Sequence, residues 1–110
     1  MADALKILGQ ARPAAGALEV LYTVPLGAQC TVTSLFVCNT SGGSTAFTVE
    51  VARGGAESSL LQAIHYADSL ASNSTFPVAA PIMLSSTDLI RVKSSDGNCS
   101  FTATGLEMTG

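Results

Sequence analysis

The sequence has no tryptophan, two tyrosines and a single histidine, and only 12% of its residues are charged. Each shortage excludes something. With His65 as the one imidazole, a nucleophile–base–orienter constellation has a single conventional base to draw on, and Asp68 three residues on is its nearest acidic neighbour. Serines are so numerous that any Ser/His/Asp match carries no weight without geometry, and His65 is read as a half-exposed strand residue. The lack of an aromatic platform argues against carbohydrate hydrolysis by paired carboxylates. Three cysteines, Cys30, Cys38 and Cys99, form an odd set without CxxC spacing or grouped histidines, so neither a metal site nor a disulfide framework is expected. Cys30 and Cys38 on one strand would stand about 26 Å apart, far beyond bridging distance, and all three are read as free thiols packed as small hydrophobes. No enzyme activity, cofactor or metal is expected.

Positive charge is scarce too. Lys6, Arg12, Arg53, Arg91 and Lys93 stand against eight carboxylates, a net charge of −3. A nucleic-acid surface gains affinity by displacing counterions with clustered cations, and only Arg91 and Lys93 are close together, on one face of a strand read as a solvated edge. No apolar run approaches the ~18 residues of a membrane span, and Met1 to Leu8 falls short of a secretory signal. The expectation is a protein made in a reducing cytoplasm, with neither nucleic acid nor membrane as partner.

What the sequence does have is period-two alternation broken at regular intervals by turn residues. At 110 residues it is long enough for one domain with one modest core, over 1–110. Leu18 to Val24 alternates with Leu18, Val20, Tyr22 and Val24 on one side and stops at Pro25 and Gly27. Gln29 to Asn39 places Cys30, Val32, Phe36 and Cys38 on one face and Leu35 and Val37 on the other, so its second half is apolar on both faces, as expected of a central sandwich strand or one pressed against a partner chain. The cluster from Asn39 to Ser44 is loop chemistry. Thr45 to Arg53 turns Phe47, Val49 and Val51 inward with Thr48, Glu50 and Ala52 outward, and ends at Gly54-Gly55.

Leu60 to Tyr66 suits a strand or a helical turn, and its β-rich surroundings favour the strand. Pro77 confines Ser74 to Val78 to a sheet edge, and Ile82 to Leu84 is a short run after Pro81. Asp88 to Ser94 places Ile90 and Val92 inward, and Asp96-Gly97 signals a hairpin returning through Cys99 to Leu106. With Ala4 to Leu8 counted, the expected fold is all-β, an antiparallel β-sandwich of about eight strands, jelly-roll-like. Met1 to Gly16 is either an arm reaching onto a neighbour or an ordinary edge strand.

The hydrophobic fraction of 47% with so little charge leaves Thr, Ser, Ala and Gly to cover the surface, a composition suited to burial against neighbouring subunits. Three Asn-x-Ser/Thr triplets, at Asn39, Asn73 and Asn98, are read as chance products of an Asn/Ser/Thr-rich chain.

The order Ile7-Leu8-Gly9-Gln10 with Pro13-Ala14, then Leu21-Tyr22-Thr23-Val24-Pro25-Leu26-Gly27, Phe36-Val37-Cys38-Asn39 and Ser86-Thr87-Asp88-Leu89-Ile90-Arg91-Val92 resembles small virion structural proteins of tailed bacteriophages, from Lys6 to Glu107. The resemblance implies a β-sandwich on the virion exterior, most simply a capsid decoration or cement protein bridging neighbouring subunits of the major capsid protein, as a homo-oligomer with a trimer favoured. Leu5, Ile7, Leu8, Pro13, Leu35 and Val37 are the expected assembly residues. The rival expectations are a head-fibre, neck or tail component binding a receptor or glycan through the loops Ser41–Ser44, Gly54–Ser59 and Ser94–Asn98, and a cellular β-sandwich adaptor unrelated to viruses.

Overall fold

The computed structural model describes residues 2–59, 62–78 and 81–109. Nine strands lie in the described residues: β1 (Ala2–Ala11), β2 (Glu19–Thr23), β3 (Ala28–Asn39), β4 (Thr45–Ala52), β5 (Ala63–Leu70), β6 (Thr75–Val78), β7 (Ile82–Leu84), β8 (Leu89–Ser94) and β9 (Cys99–Thr109). One sheet, sheet A, has the order β1-β9-β3-β6, with β7 also paired to β3; the other, sheet B, has the order β2-β8-β4-β5. All the paired strands are antiparallel.

Because β6 and β7 share one lateral position beside β3, the sandwich has four positions in each sheet. Consecutive strands cross from one sheet to the other everywhere except between β4 and β5 and between β6 and β7, which is jelly-roll topology. The expectation of an all-β sandwich is thus met, with nine strands filling eight places. Of the segment considered as an arm, Ala2–Ala11 is instead the edge strand of sheet A, paired to β9.

The core lies between the sheets. Val24, Val32, Leu35, Val37, Phe47, Val49, Ile90, Val92, Phe101 and Ala103 are each at most 1% exposed. Phe47 is its aromatic centre, with ring centroids 5.7 Å from Phe76 and 6.5 Å from Phe101. Among the described residues no buried side-chain nitrogen or oxygen lacks a hydrogen-bond partner.

Several readings of the alternation are corrected, and bulges are the main reason. A bulge adds one residue to one strand and so reverses the facing of everything beyond it. In β3 the register shifts between Val32 and Ser34. Ala28, Cys30 and Val32 face the core before the shift, and Leu35, Val37 and Asn39 after it. The second half of the strand is apolar on both faces, with Leu35 and Val37 inward and Phe36 and Cys38 outward, but the inward set changes phase, so Phe36, 41% exposed, points away from Cys30 and Val32. In β2 a shift between Val20 and Tyr22 buries Leu21 together with Tyr22 and Val24, leaving Leu18 and Val20 partly exposed.

The Asp96-Gly97 turn does not make a hairpin. β8 pairs with β2 and β4 while β9 pairs with β1 and β3, so this turn carries the chain between sheets. Nor is β8 a solvated edge, since it lies between β2 and β4. Thr48, Glu50 and Ala52 face outward from sheet B and are nonetheless buried: the β5 backbone reaches Thr48, whose Oγ1 accepts from Ala67 N–H at 3.0 Å, and the segment after β4 folds back near Glu50, where Ser58 Oγ donates to Glu50 Oε1 at 2.8 Å and Arg91 donates to the Ala56 carbonyl at 2.7 Å. The strand expected over Leu60–Tyr66 is found as Ala63–Leu70; Leu60 and Leu61 lie outside the described residues.

The two open sides of the sandwich are each closed by a polar or aromatic link between sheets. On the β1/β2 side, Tyr22 Oη donates to Glu107 Oε2, and Lys6 Nζ donates to Glu107 Oε1 at 2.7 Å. Hydrogen bonds from Lys6 and then Tyr22 hold the Glu107 carboxyl below its usual range. Burial first, and then the bond to Glu107, pushes the Tyr22 phenol far above its own. On the β5/β6 side, the His65 ring packs at 5.4 Å from Phe76 and 5.5 Å from Phe47, with its Nδ1 against Asp68 Oδ2.

Candidate assembly surface

Of the residues expected to mediate assembly, the structure keeps two at the surface and withdraws the rest. Leu5 and Ile7 on β1 are 79% and 59% exposed. Leu8 is half-buried and packs against the core. Pro13, Leu35 and Val37 are fully buried within the chain, so no partner can touch their side chains; the β3 bulge and the wrap of the segment after β1 put them there.

The exposed outer face of sheet A assembles instead from residues that alternate with the core set. One cross-strand row runs Leu5, Leu106, Thr31, Met83, through the pairs Leu5↔Leu106, Thr31↔Leu106 and Thr31↔Met83. The next holds Ile7, Thr104 and Ser34, and a third holds Gln10, Thr102, Phe36 and Pro77. Directly opposed residues in neighbouring strands have side chains close enough to pack, so each row is a continuous ridge of methyl, methylene and hydroxyl groups. Met83 is 79% exposed. Among the described side chains on this face the one charge is Arg12, at its upper end, where its guanidinium donates to Thr40 Oγ1 at 2.8 Å.

Three surface hollows open here: about 310 Å³ between β1 and β9 at Gln10, Arg12 and Thr102, about 260 Å³ at Thr33, Phe36 and Pro77, and about 290 Å³ at Gln29, Met83 and Met108. Phe36, Met83, Leu106 and the threonine rows were missed by the sequence reading. The β3 bulge that turns Phe36 outward leaves no one-residue signature, although the apolar Phe36 beside buried Leu35 and Val37 marks the change of phase.

The loops considered for ligand recognition do not form one site. Ser41–Ser44 and Ser94–Asn98 meet at the end of the sandwich that holds the β3–β4 and β8–β9 turns, where the Thr40 amide donates to the Asn98 carbonyl at 2.9 Å. Gly54–Ser59 follows the far end of β4 and lies at the opposite end. The upper loops are braced by Asn39, whose buried side chain donates to the carbonyls of Gly43, Ala71 and Leu70 and accepts from Ser41 N–H and Oγ. This Asn is a structural strut, which fits the reading of its triplet as chance.

Among the described residues no group of three or more His, Cys, Asp and Glu side chains is arranged to hold a metal ion. The three cysteines are unpaired, with Cys30 and Cys99 buried. Cys38 and Cys99 lie on adjoining strands but on opposite faces of sheet A, since Cys99 opposes inward-facing Asn39. Burial pushes the Cys30 and Cys99 thiols up. No protein-family model matches the chain, and no curated protein or solved structure matches it at a significant level.

Proposed function

We propose that this chain is a non-enzymatic structural protein of a tailed-phage virion, a decoration or cement protein on the capsid exterior that acts as a homo-oligomer bridging neighbouring capsid subunits. The observation that carries the reading is a jelly roll with one outer face left uncovered by the described residues, its described side chains rich in Leu, Met and Thr with Arg12 the one charge. The order of motifs along the sequence supports the phage assignment, and a trimer at a three-fold position is the arrangement it favours. Such a protein stiffens a thin shell by many simultaneous contacts, each of which can be weak because linkage to the others raises its effective concentration. Its place is the virion surface after synthesis in the host cytoplasm. The net charge of −3 offers nucleic acid no counterion-release surface.

The test is to add the purified chain to shells assembled without it and to count bound copies while measuring resistance to heat. Hundreds of copies per particle with a rise in shell stability support cement; no binding to shells refutes it. A second reading, a fibre, neck or tail component with a receptor- or glycan-binding end, draws support from the convergence of the hydroxyl-rich loops Ser41–Ser44 and Ser94–Asn98. A handful of copies confined to the tail, with glycan binding lost on substituting those loops, would select it.

A further inference from the structure

The two outer faces of the sandwich are treated differently by the chain itself. On sheet B residues 53–59 and Gln62 return over β4 and β8, closing Glu50 and Arg91 into hydrogen bonds with Ser58, Ala56 and Gln62. On sheet A nothing comparable covers the described residues, and its apolar side chains Leu5, Ile7, Phe36 and Met83 are 79%, 59%, 41% and 79% exposed. Exposed apolar patches of this kind in a soluble domain mark interaction surfaces.

We infer that the outer face of sheet A is covered by a second copy of this chain. Size and charge both favour that occupant. Four strand positions about 4.8 Å apart and nine residues at about 3.3 Å give roughly 600 Å² in flat projection, and more as accessible surface, comparable with the ~800 Å² per partner of a stable interface. Among the described side chains Arg12 alone carries charge, at one end, so the described face offers no charge pattern for a charged partner to complement, whereas its rows of Leu, Met and Thr suit another uncharged surface of the same chain. The Leu5 and Met83 side chains stand up as knobs, and the hollows beside Phe36 and Gln10 are of a size to take them.

This assignment rests on the assembly reading above and names the surface that reading needs. It is tested on the full chain by light scattering over a range of concentrations, comparing wild type with the double variant Leu5→Lys/Met83→Lys and with Tyr66→Lys, a 62% exposed residue of sheet B. Both changed residues of the double variant are exposed in the single chain, so folding should survive, as an unchanged circular dichroism melt would show. The expected result is a wild-type mass that is a multiple of 11.1 kDa, kept by Tyr66→Lys and reduced to 11.1 kDa by the double variant. A monomeric wild type, or a double variant that keeps the oligomer mass, overturns the assignment. A double variant that stays oligomeric but no longer binds shells gives the face to the capsid instead, overturning the second-copy assignment while leaving the cement function standing. An oligomer that dissociates as expected while the wild type ignores shells does the reverse.

Discussion

Asn39→Ala should be among the most damaging single substitutions in the molecule. The Asn39 side chain, fully buried, ties together two loops of the upper end, β3–β4 and β5–β6: its Nδ2 donates to the Gly43 carbonyl at 2.8 Å, the Ala71 carbonyl at 3.1 Å and the Leu70 carbonyl at 3.3 Å. Its Oδ1 accepts from Ser41 N–H at 3.0 Å and Ser41 Oγ at 2.9 Å. Truncation removes these bonds and leaves the buried Leu70 carbonyl without this donor. Water can replace the lost partner at the part-buried groups of Ser41, Gly43 and Ala71, so the loss is dominated by the buried bond to Leu70, about 1 kcal/mol, and the roughly 2 kcal/mol of leaving that carbonyl unpaired, about 3 kcal/mol together. That is a large share of the roughly 5–15 kcal/mol that holds a domain of this size together, and a fall in Tm of roughly 12 °C. Urea unfolding followed by circular dichroism measures it through the shift in midpoint at unchanged slope. Asn39→Asp sharpens the test, because an ionised carboxylate facing three carbonyls is repelled; its stability should improve as pH falls through the carboxylate range. An Asn39→Ala midpoint equivalent to less than about 0.5 kcal/mol below wild type would refute the strut.

Glu107 gives a second pH effect. Its folded-state pKa is depressed by Lys6 and Tyr22, so its stabilisation is present above the ordinary glutamate value of about 4.3 and is lost as pH falls through the lower folded value. Wild type should therefore lose more stability between pH 5 and pH 3 than Glu107→Gln in parallel urea titrations; equal losses would count against the inter-sheet link. A Cβ at Gly9 would stand 2.1 Å from the Leu21 carbonyl oxygen, and one at Gly105 2.2 Å from that of Thr31. Gly9→Ala and Gly105→Ala should each cost about 1–3 kcal/mol by forcing the backbones apart, whereas Gly42→Ala, with open space around it, should be nearly neutral on the same denaturation assay. Finally, Cys30 and Cys99 should resist a thiol reagent until the protein unfolds, since both are buried and their thiols are pushed up by that burial; labelling of either in native protein at the rate of a free thiol would contradict the core described above.

The sequence by itself determined the fold class and most of the strand positions. Alternation at Thr45 to Ala52 and at Leu89 to Ser94, and the punctuation by Pro25, Gly27, Pro77 and Gly97, are local properties, set by the two-residue period of a strand and the backbone limits of turn residues. What the tertiary structure decided was which face each half-strand shows and which strands pair. The bulge opposite Gly105 turns Leu35 and Val37 into the core and Phe36 out, and that shift depends on a backbone approach between β3 and β9 whose partners lie about 70 residues apart in the chain. The turn at Asp96-Gly97 has the local chemistry of a hairpin, yet β8 goes to sheet B and β9 to sheet A, because pairing is chosen by the packing of the whole sandwich rather than by the two residues of a turn. The candidate assembly surface depends on both decisions, since Leu5, Leu106, Thr31 and Met83 come from four separate strands and become neighbours only when the register of sheet A is set.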